Sequence, residues 1–284
     1  MRCELEQAGG SACFEIKDGE AVLLSLNGRV RELVLPDELP GGAESLVIAP
    51  KAALGAPVLK EVILPDKLKS VGDWAFAHCR ELERVCIPAC DHGTGVFKGC
   101  PKLRELTLSD CGGDMAALLA CAAAEDVNYL MKPAGPEDEE WYGLWDSWLM
   151  RFLEQSDSDG YSGQVPCGEE DYGSSDVGAY ESGRRREKAD RCFLRLMHPA
   201  HLLPGTGRGI ESFLRGRGKK DAFLLLTERY PDEEKKIRLY LDTACVSGEE
   251  AAGMLKKIPD HLSLMRSLFI KAAGSTDTLD GLEI

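Results

Sequence analysis

Cys79, Cys86, Cys90, His92 and Cys100 bring thiols and an imidazole into one short stretch, and those are ligands that suit zinc. No Cys-x-x-Cys clip joins them. Cys79 and Cys100 also share one position of a repeat, where a thiol serves as a small hydrophobe. Asp157-Ser-Asp-Gly160 is similar to a calcium loop. Placing Gly160 at the sixth position, however, makes Gln155 the first ligand and Pro166 the twelfth, and the oxygen cage fails. An irregular metal site among the neighbouring acids stays open. Gly205-Thr-Gly-Arg-Gly209 precedes a helical pattern, as phosphate cradles do, but no strand leads into it. The later Gly218-Lys219 pair has Phe213 where a Walker motif needs its first glycine and Lys220 where it needs a hydroxyl. A connector between helices is the expectation for this glycine run. Cys167 with His198 or His201 would supply a thiol and a base for covalent catalysis, yet nothing in the spacing brings them together. The residues therefore predict no catalytic centre, no metal site and no cofactor. A hydrolase or metal-dependent activity in the helical half and its acidic loop is the alternative.

The elements that carry these residues must come from 284 residues and 31.0 kDa, enough for one large domain or two ordinary ones. With 44% hydrophobic and 29% charged residues the chain is globular in composition. Acids outnumber bases 48 to 34, a net charge of −14, which opposes general binding to nucleic acid or anionic membranes. No apolar stretch of about 18 residues offers membrane insertion, and MRCELEQAGG lacks the pattern of a secretory signal. A cytoplasmic setting is expected. Eleven cysteines, an odd number, read as thiols in a reducing compartment.

The first third repeats itself. Val58-Leu-Lys-Glu-Val-Ile-Leu-Pro65, Glu81-Leu-Glu-Arg-Val-Cys-Ile-Pro88 and Lys102-Leu-Arg-Glu-Leu-Thr-Leu108 share one template. Its leading leucine recurs at Leu59, Leu82 and Leu103, spacings of 23 and 21, within the range of leucine-rich repeats. Val30-Arg-Glu-Leu-Val-Leu-Pro36 is an earlier copy. Between strands, Phe76 matches Phe97 and Cys79 matches Cys100, with Ala53 and Ala56 as shrunken equivalents. Strand alternation turns Leu33 and Leu35, Val62 and Leu64, Val85 and Ile87, and Leu106 and Leu108 inward as stacked columns. Proline ends three of the strands. Asp18-Gly19 between two apolar runs predicts a hairpin that caps the first coil.

Val71-Gly-Asp-Trp-Ala-Phe-Ala-His-Cys-Arg-Glu-Leu82, followed by Val85-Cys-Ile-Pro88, resembles the BspA-like, or Treponema pallidum-type, leucine-rich repeats. The resemblance covers about residues 12–110. It departs at Ile48-Ala-Pro-Lys-Ala-Ala53, which lacks the aromatic, and at Cys90-Asp-His-Gly-Thr-Gly95, which is two residues short. It implies a solenoid and, since such proteins are often surface-exposed adhesion or binding modules, a binding role.

Beyond the repeats the pattern turns helical. Asp114 is a candidate N-cap for a helix through Ala124 that closes the solenoid. Pro136-Glu-Asp-Glu-Glu140 starts a strong helix, whose Trp141, Leu144, Trp145, Trp148, Leu149 and Phe152 form one apolar stripe. That stripe is either core between two halves or an exposed partner site. Residues 154–183 contain eight acids, among them Glu154, Asp157, Asp159, Glu169, Glu170 and Asp171, and no lysine or arginine. A long loop is expected there, with Arg184-Arg-Arg186 opening the next helix and pairing with its acids. Five short helices follow, marked by Phe193, Phe223, Ile237, Met254 and Met265, with a capping box from Ser247 to Glu250 and a Glu234–Arg238 pair.

The expected fold is α+β. A short N-terminal leucine-rich-repeat solenoid with a stacked parallel sheet precedes an all-α C-terminal domain of ankyrin-like or irregular helix pairs. Its regions are 1–112 (hairpin cap and repeats), 113–183 (capping helix, tryptophan-rich helix and acidic loop), 184–273 (helices) and a disordered tail, 274–284. The residues that alternate with the core columns would face outward on the sheet: Val34, Ile63, Cys86 and Thr107, flanked by Glu32, Glu61, Arg84 and Glu105. An apolar lane beside a charged lane suits protein binding, against a bare surface or one covered by the helices. The expected function is a non-catalytic interaction module. Its partner would be a protein of unspecified identity, basic if it docks on the acidic middle of the chain.

Overall fold

The computed structural model describes residues 1–109, 111–161 and 176–274. The chain divides into two compact units, Met1–Tyr142 and Gly143–Ile284, and the architecture is α+β.

The first unit is a solenoid with two sheets. Strands β1 (Arg2–Gln7), β2 (Gly10–Lys17) and β3 (Glu20–Gly28) form an antiparallel meander. Asp18 and Gly19, at φ 51° and 78°, make the tight hairpin turn between β2 and β3 that Asp-Gly favours. Four parallel strands follow, one per coil: β4 (Glu32–Val34), β6 (Glu61–Ile63), β8 (Arg84–Ile87) and β10 (Glu105–Leu108). Their inward side chains, Leu33, Val62, Val85 and Leu106, are each completely buried, so the columns read from the sequence are the core.

The return path of each coil is more regular than the sequence pattern indicates. It carries a second parallel column, β5 (Ser45–Ile48), β7 (Leu68–Val71) and β9 (Asp91–His92), which extends the N-terminal meander from β3. These strands are only two to four residues long, too short to leave an alternating signature.

The corner of each coil also stacks residue on residue. Trp74 N donates to Thr94 O, Phe76 N to Val96 O and His78 N to Lys98 O, while Lys51, Ala53 and Gly55 do the same toward Asp73, Ala75 and Ala77. Two positions of this corner are left-handed in all three coils. They are Lys51, Trp74 and Gly95 (φ 61°, 59° and 62°), then Gly55, His78 and Gly99 (φ 66°, 58° and 72°). Inside the corner, the Phe76 and Phe97 rings stack at 5.7 Å, tilted by 8°. Helix α1 (Asp114–Ala124) packs on β10 and closes that end of the solenoid. Its N-cap is Gly113, and Asp114 is the first helical residue.

Helix α2 (Glu139–Glu154) starts in the first unit, and the division between units falls within it. Asp138 caps it, accepting from Trp141 N at 3.0 Å and Ala134 N at 2.7 Å. Those backbone donors hold its carboxyl below the usual carboxylate range. Trp141, Trp145, Leu149 and Phe152 of the predicted stripe are buried, whereas Leu144 is exposed.

The second unit is built from α2 onward with α3 (Val177–Met197), α4 (Pro204–Arg215), α5 (Lys219–Arg229), α6 (Glu234–Thr243), α7 (Gly248–Leu255) and α8 (Ser263–Gly274). Two readings of this half need correction. Helix α3 begins seven residues before Arg184, capped by Asp176, so the arginine run lies inside a helix already under way. The glycine run 205–209 is no connector: with Pro204 at its first turn it forms the start of α4. At Gly209 the end of the Met150 side chain packs closely against the helix backbone. The long α3 packs against α4, α5 and α6, which makes the arrangement irregular rather than an ankyrin-like stack of nearest neighbours. Ser247 and Glu250 complete a capping box, and Arg238 pairs with Glu234 at 2.6 Å.

Candidate functional site

The outward residues of the four-stranded sheet fall into two aligned rows. Strand pairing puts Glu32 opposite Glu61, Glu61 opposite Arg84 and Arg84 opposite Glu105. The same register sets Val34 beside Ile63, Ile63 beside Cys86 and Cys86 beside Thr107. Val34 is 45% exposed, and Ile63, Cys86 and Thr107 are half-buried.

The charged row is largely paired within itself. Arg84 reaches Glu61 at 3.0 Å and Glu105 at 3.3 Å, and those two carboxylates raise its pKa above the ordinary value. A second row runs alongside: Glu83 takes Lys60 at 3.3 Å and Arg104 at 2.5 Å. The Lys60 hydrogen bond, more than any other contact, lowers the Glu83 pKa. Because such exposed pairs contribute little to stability, their effect is on surface potential: Arg84 is neutralised on both sides, and Glu32 makes no ion pair with the described residues. Burial, then Glu105, Asp66 and Glu61, push the Cys86 thiol up, so it stays protonated.

Gln7 protects the open edge at β4. Its amide oxygen accepts from Val34 N at 3.2 Å and its amide nitrogen donates to Val34 O at 3.4 Å, replacing a neighbouring strand. No pattern in the sequence links Gln7 to Val34, since the contact spans 27 residues.

The repeat-position thiols have a structural role that their spacing only half reveals. Cys79 Sγ donates to Ala53 O at 3.1 Å and Cys100 Sγ to Phe76 O at 3.2 Å. Ala53 and Phe76 are equivalent residues, so each thiol ties its coil to the preceding one. Among the described residues no three His, Cys, Asp or Glu side chains come together in a way that could hold a metal ion. Asp157, the first acid of the calcium-like stretch, instead meets Lys188 at 2.6 Å, Arg217 at 3.2 Å and Arg185 at 3.4 Å. Burial alone would raise the Asp157 pKa, but these cations, Lys188 foremost, bring it below the ordinary value. Arg185 thus pairs with Asp157 and, at 3.6 Å, with Glu181 of the acidic stretch, while Arg186 turns to Glu228. Cys167, Pro166, Glu169, Glu170 and Asp171 lie outside the described residues, so the Cys167 pairing with His198 or His201 does too.

Trp74 belongs to the repeat pattern and has a further contact that the pattern does not show. Its indole lies over Gly95, whose Cβ would sit 3.4 Å from the ring, and Lys98 Nζ approaches the ring centroid to 5.5 Å. No helix among the described residues is long and apolar enough to cross a membrane.

Stacked parallel strands, a period of 23 and 21 residues and backbone ladders at every corner define a leucine-rich-repeat-like solenoid. No family model and no curated protein matches the sequence. Among solved structures, the chain is similar to a leucine-rich cell surface protein from Faecalibacterium prausnitzii A2-165. The identity is 24% over 37% of this chain and 30% of that one, with a TM-score of 0.30. It is also similar to the pneumococcal vaccine antigen PcpA, at 17% identity over 37% and 38% of the two chains and a TM-score of 0.24. The matched part therefore spans about a third of the length of those structures.

Proposed function

We propose that this chain is a non-catalytic protein-binding module of the BspA-like leucine-rich-repeat type, working through the outer face of its four-stranded sheet. One observation carries the reading: Val34, Ile63, Cys86 and Thr107 line up in register beside Glu32, Glu61, Arg84 and Glu105. Burial of the first row would supply affinity, and the charged row would select the partner. With three acids around one arginine, the charged row favours a basic partner surface. The thiols of Cys79, Cys100 and Cys192, buried and outside any disulfide among the described residues, support a reducing, cytoplasmic setting.

The test compares capture of native-cell proteins by the intact chain and by the Ile63→Lys variant, with unfolding curves to confirm that both are folded. A partner bound through this face is held by the intact chain, weakened about tenfold or more by the substitution, and released as salt rises. Equal capture by both chains would reject the face.

A further inference from the structure

We propose that the cleft at the C-terminal end of the solenoid binds a small organic carboxylate with an apolar body. The cleft has a volume of about 700 Å³ and lies wholly within the first unit, a size ordinary for small-molecule sites. One wall is the last coil, around Cys90, Leu108 and Cys111, and the other is the segment after α1, from Met131 to Pro136.

The polar groups in this lining are mostly donors. Lys69 and Lys132 each bring an ammonium, and both side chains are about two-thirds exposed. Each is in a long, solvent-exposed ion pair, Lys69 with Glu20 at 3.8 Å and Lys132 with Asp91 at 3.6 Å. Such pairs are weak, and an ammonium has three protons to share. Ser109 Oγ accepts from Ala89 N at 3.0 Å, which directs its own proton elsewhere. Ser109 is also a non-glycine residue held at φ 50°, the kind of backbone strain that recurs at binding sites. Against these donors the described lining offers one carboxylate, Asp91, already facing Lys132. Burial pushes the Cys90 thiol up to about 11, so it adds no negative charge at neutral pH and behaves as apolar lining.

Leu108, Met131, Pro133 and Pro136 complete the apolar surface. The second wall is held in place before any ligand arrives: Ala134 N donates to Asp138 at 2.7 Å and Trp141 Nε1 to Leu130 O at 2.8 Å. A preformed cleft of this kind spares the ligand the ordering cost of closing it. Donor-rich polar groups over an apolar lining fit an acceptor-only anion with a hydrocarbon or aromatic body.

The probes are octanoate, 1-octanol and octylammonium, titrated into the full chain by calorimetry and followed by the methyl resonance of Met131. Octanoate is expected to move that resonance and to bind at least about tenfold more tightly than octanol, with octylammonium weakest. The double variant Lys69→Gln/Lys132→Gln, with an unchanged thermal midpoint, should lose about tenfold for octanoate and nothing for octanol. An unmoved Met131 resonance at millimolar octanoate, equal binding of acid and alcohol, or full affinity in the double variant would each overturn the proposal. The octanoate–octanol comparison needs no variant and decides the matter even if the substitutions disturb the fold.

Discussion

The two units satisfy their buried polar groups in opposite ways. In the solenoid the buried polar side chains are Ser11 and Ser45, and no charged side chain is buried among its described residues. Backbone ladders and thiol donors from coil to coil do the work there. The helical unit instead buries Asp146, Asp157, Lys188, Arg195 and Asp221. Arg195 reaches Asp146 at 2.6 Å and also donates to the carbonyls of His198 and Ala200, while the second Asp146 oxygen accepts from Leu203 N at 3.0 Å. A repeat supplies each coil with a neighbour of matching geometry, so main-chain groups find partners by translation. Irregular helices leave carbonyls and amides at their ends, and here a buried ion pair gathers three of them.

The difference can be broken most forcefully at that ion pair. Asp146→Ala leaves Arg195 buried without its carboxylate and is expected to cost about 3–5 kcal/mol, seen as lost exchange protection in α3 and α4 but not in β6 and β8. The double variant Asp146→Leu/Arg195→Met should recover much of that loss, because no charge is then left buried and unpaired. In the solenoid, Phe76→Ala is expected to cost about 3–4 kcal/mol. Its effect on amide exchange should extend to the adjacent coils carrying Ala53 and Phe97, as nearest-neighbour stacking requires. Cys79→Ala removes one thiol ladder contact, and urea unfolding should show a loss of about 1 kcal/mol. A larger loss would mean that the thiol carries more than one donor's worth of cohesion.

The smallest expected effect separates the units by pH. Burial, assisted by Lys132 and opposed by Asp91, lowers the His92 pKa, and neither ring nitrogen has a hydrogen-bond partner among the described residues. The unfolded chain then binds the proton more readily, so the solenoid loses stability as pH falls below about 6.5 toward the lower folded pKa. Asp157 is depressed in the folded state, so its contribution to the helical unit persists until pH approaches about 4 and is lost below that. Unfolding of the wild type and His92→Gln between pH 7 and 5 should differ in slope for the solenoid alone.

What was legible in the letters follows the same divide. The core columns and the Phe76–Phe97 stack could be read because a repeat writes each contact several times, and the Asp18-Gly19 hairpin because its turn residues sit between two apolar runs. The capping box at Ser247 was legible because its two partners are three residues apart. The second strand column was hidden by strands too short to alternate, and the start of α4 by three glycines, residues poorly suited to a helix interior. Asp146 with Arg195, 49 residues apart, leaves no local signal at all. At the candidate face, the rows were legible from strand alternation, whereas the Arg84 pairing with both flanking acids and the Gln7 cap on β4 depend on three-dimensional register.

Side-chain footprinting by hydroxyl radicals, with and without the captured partner, tests the binding face most directly. The account predicts that Val34, Ile63 and Cys86, spread over three coils, become protected together while exposed Leu203 and Ile270 of the helical unit stay reactive. Protection of the helical residues with unchanged labelling of those three would contradict it.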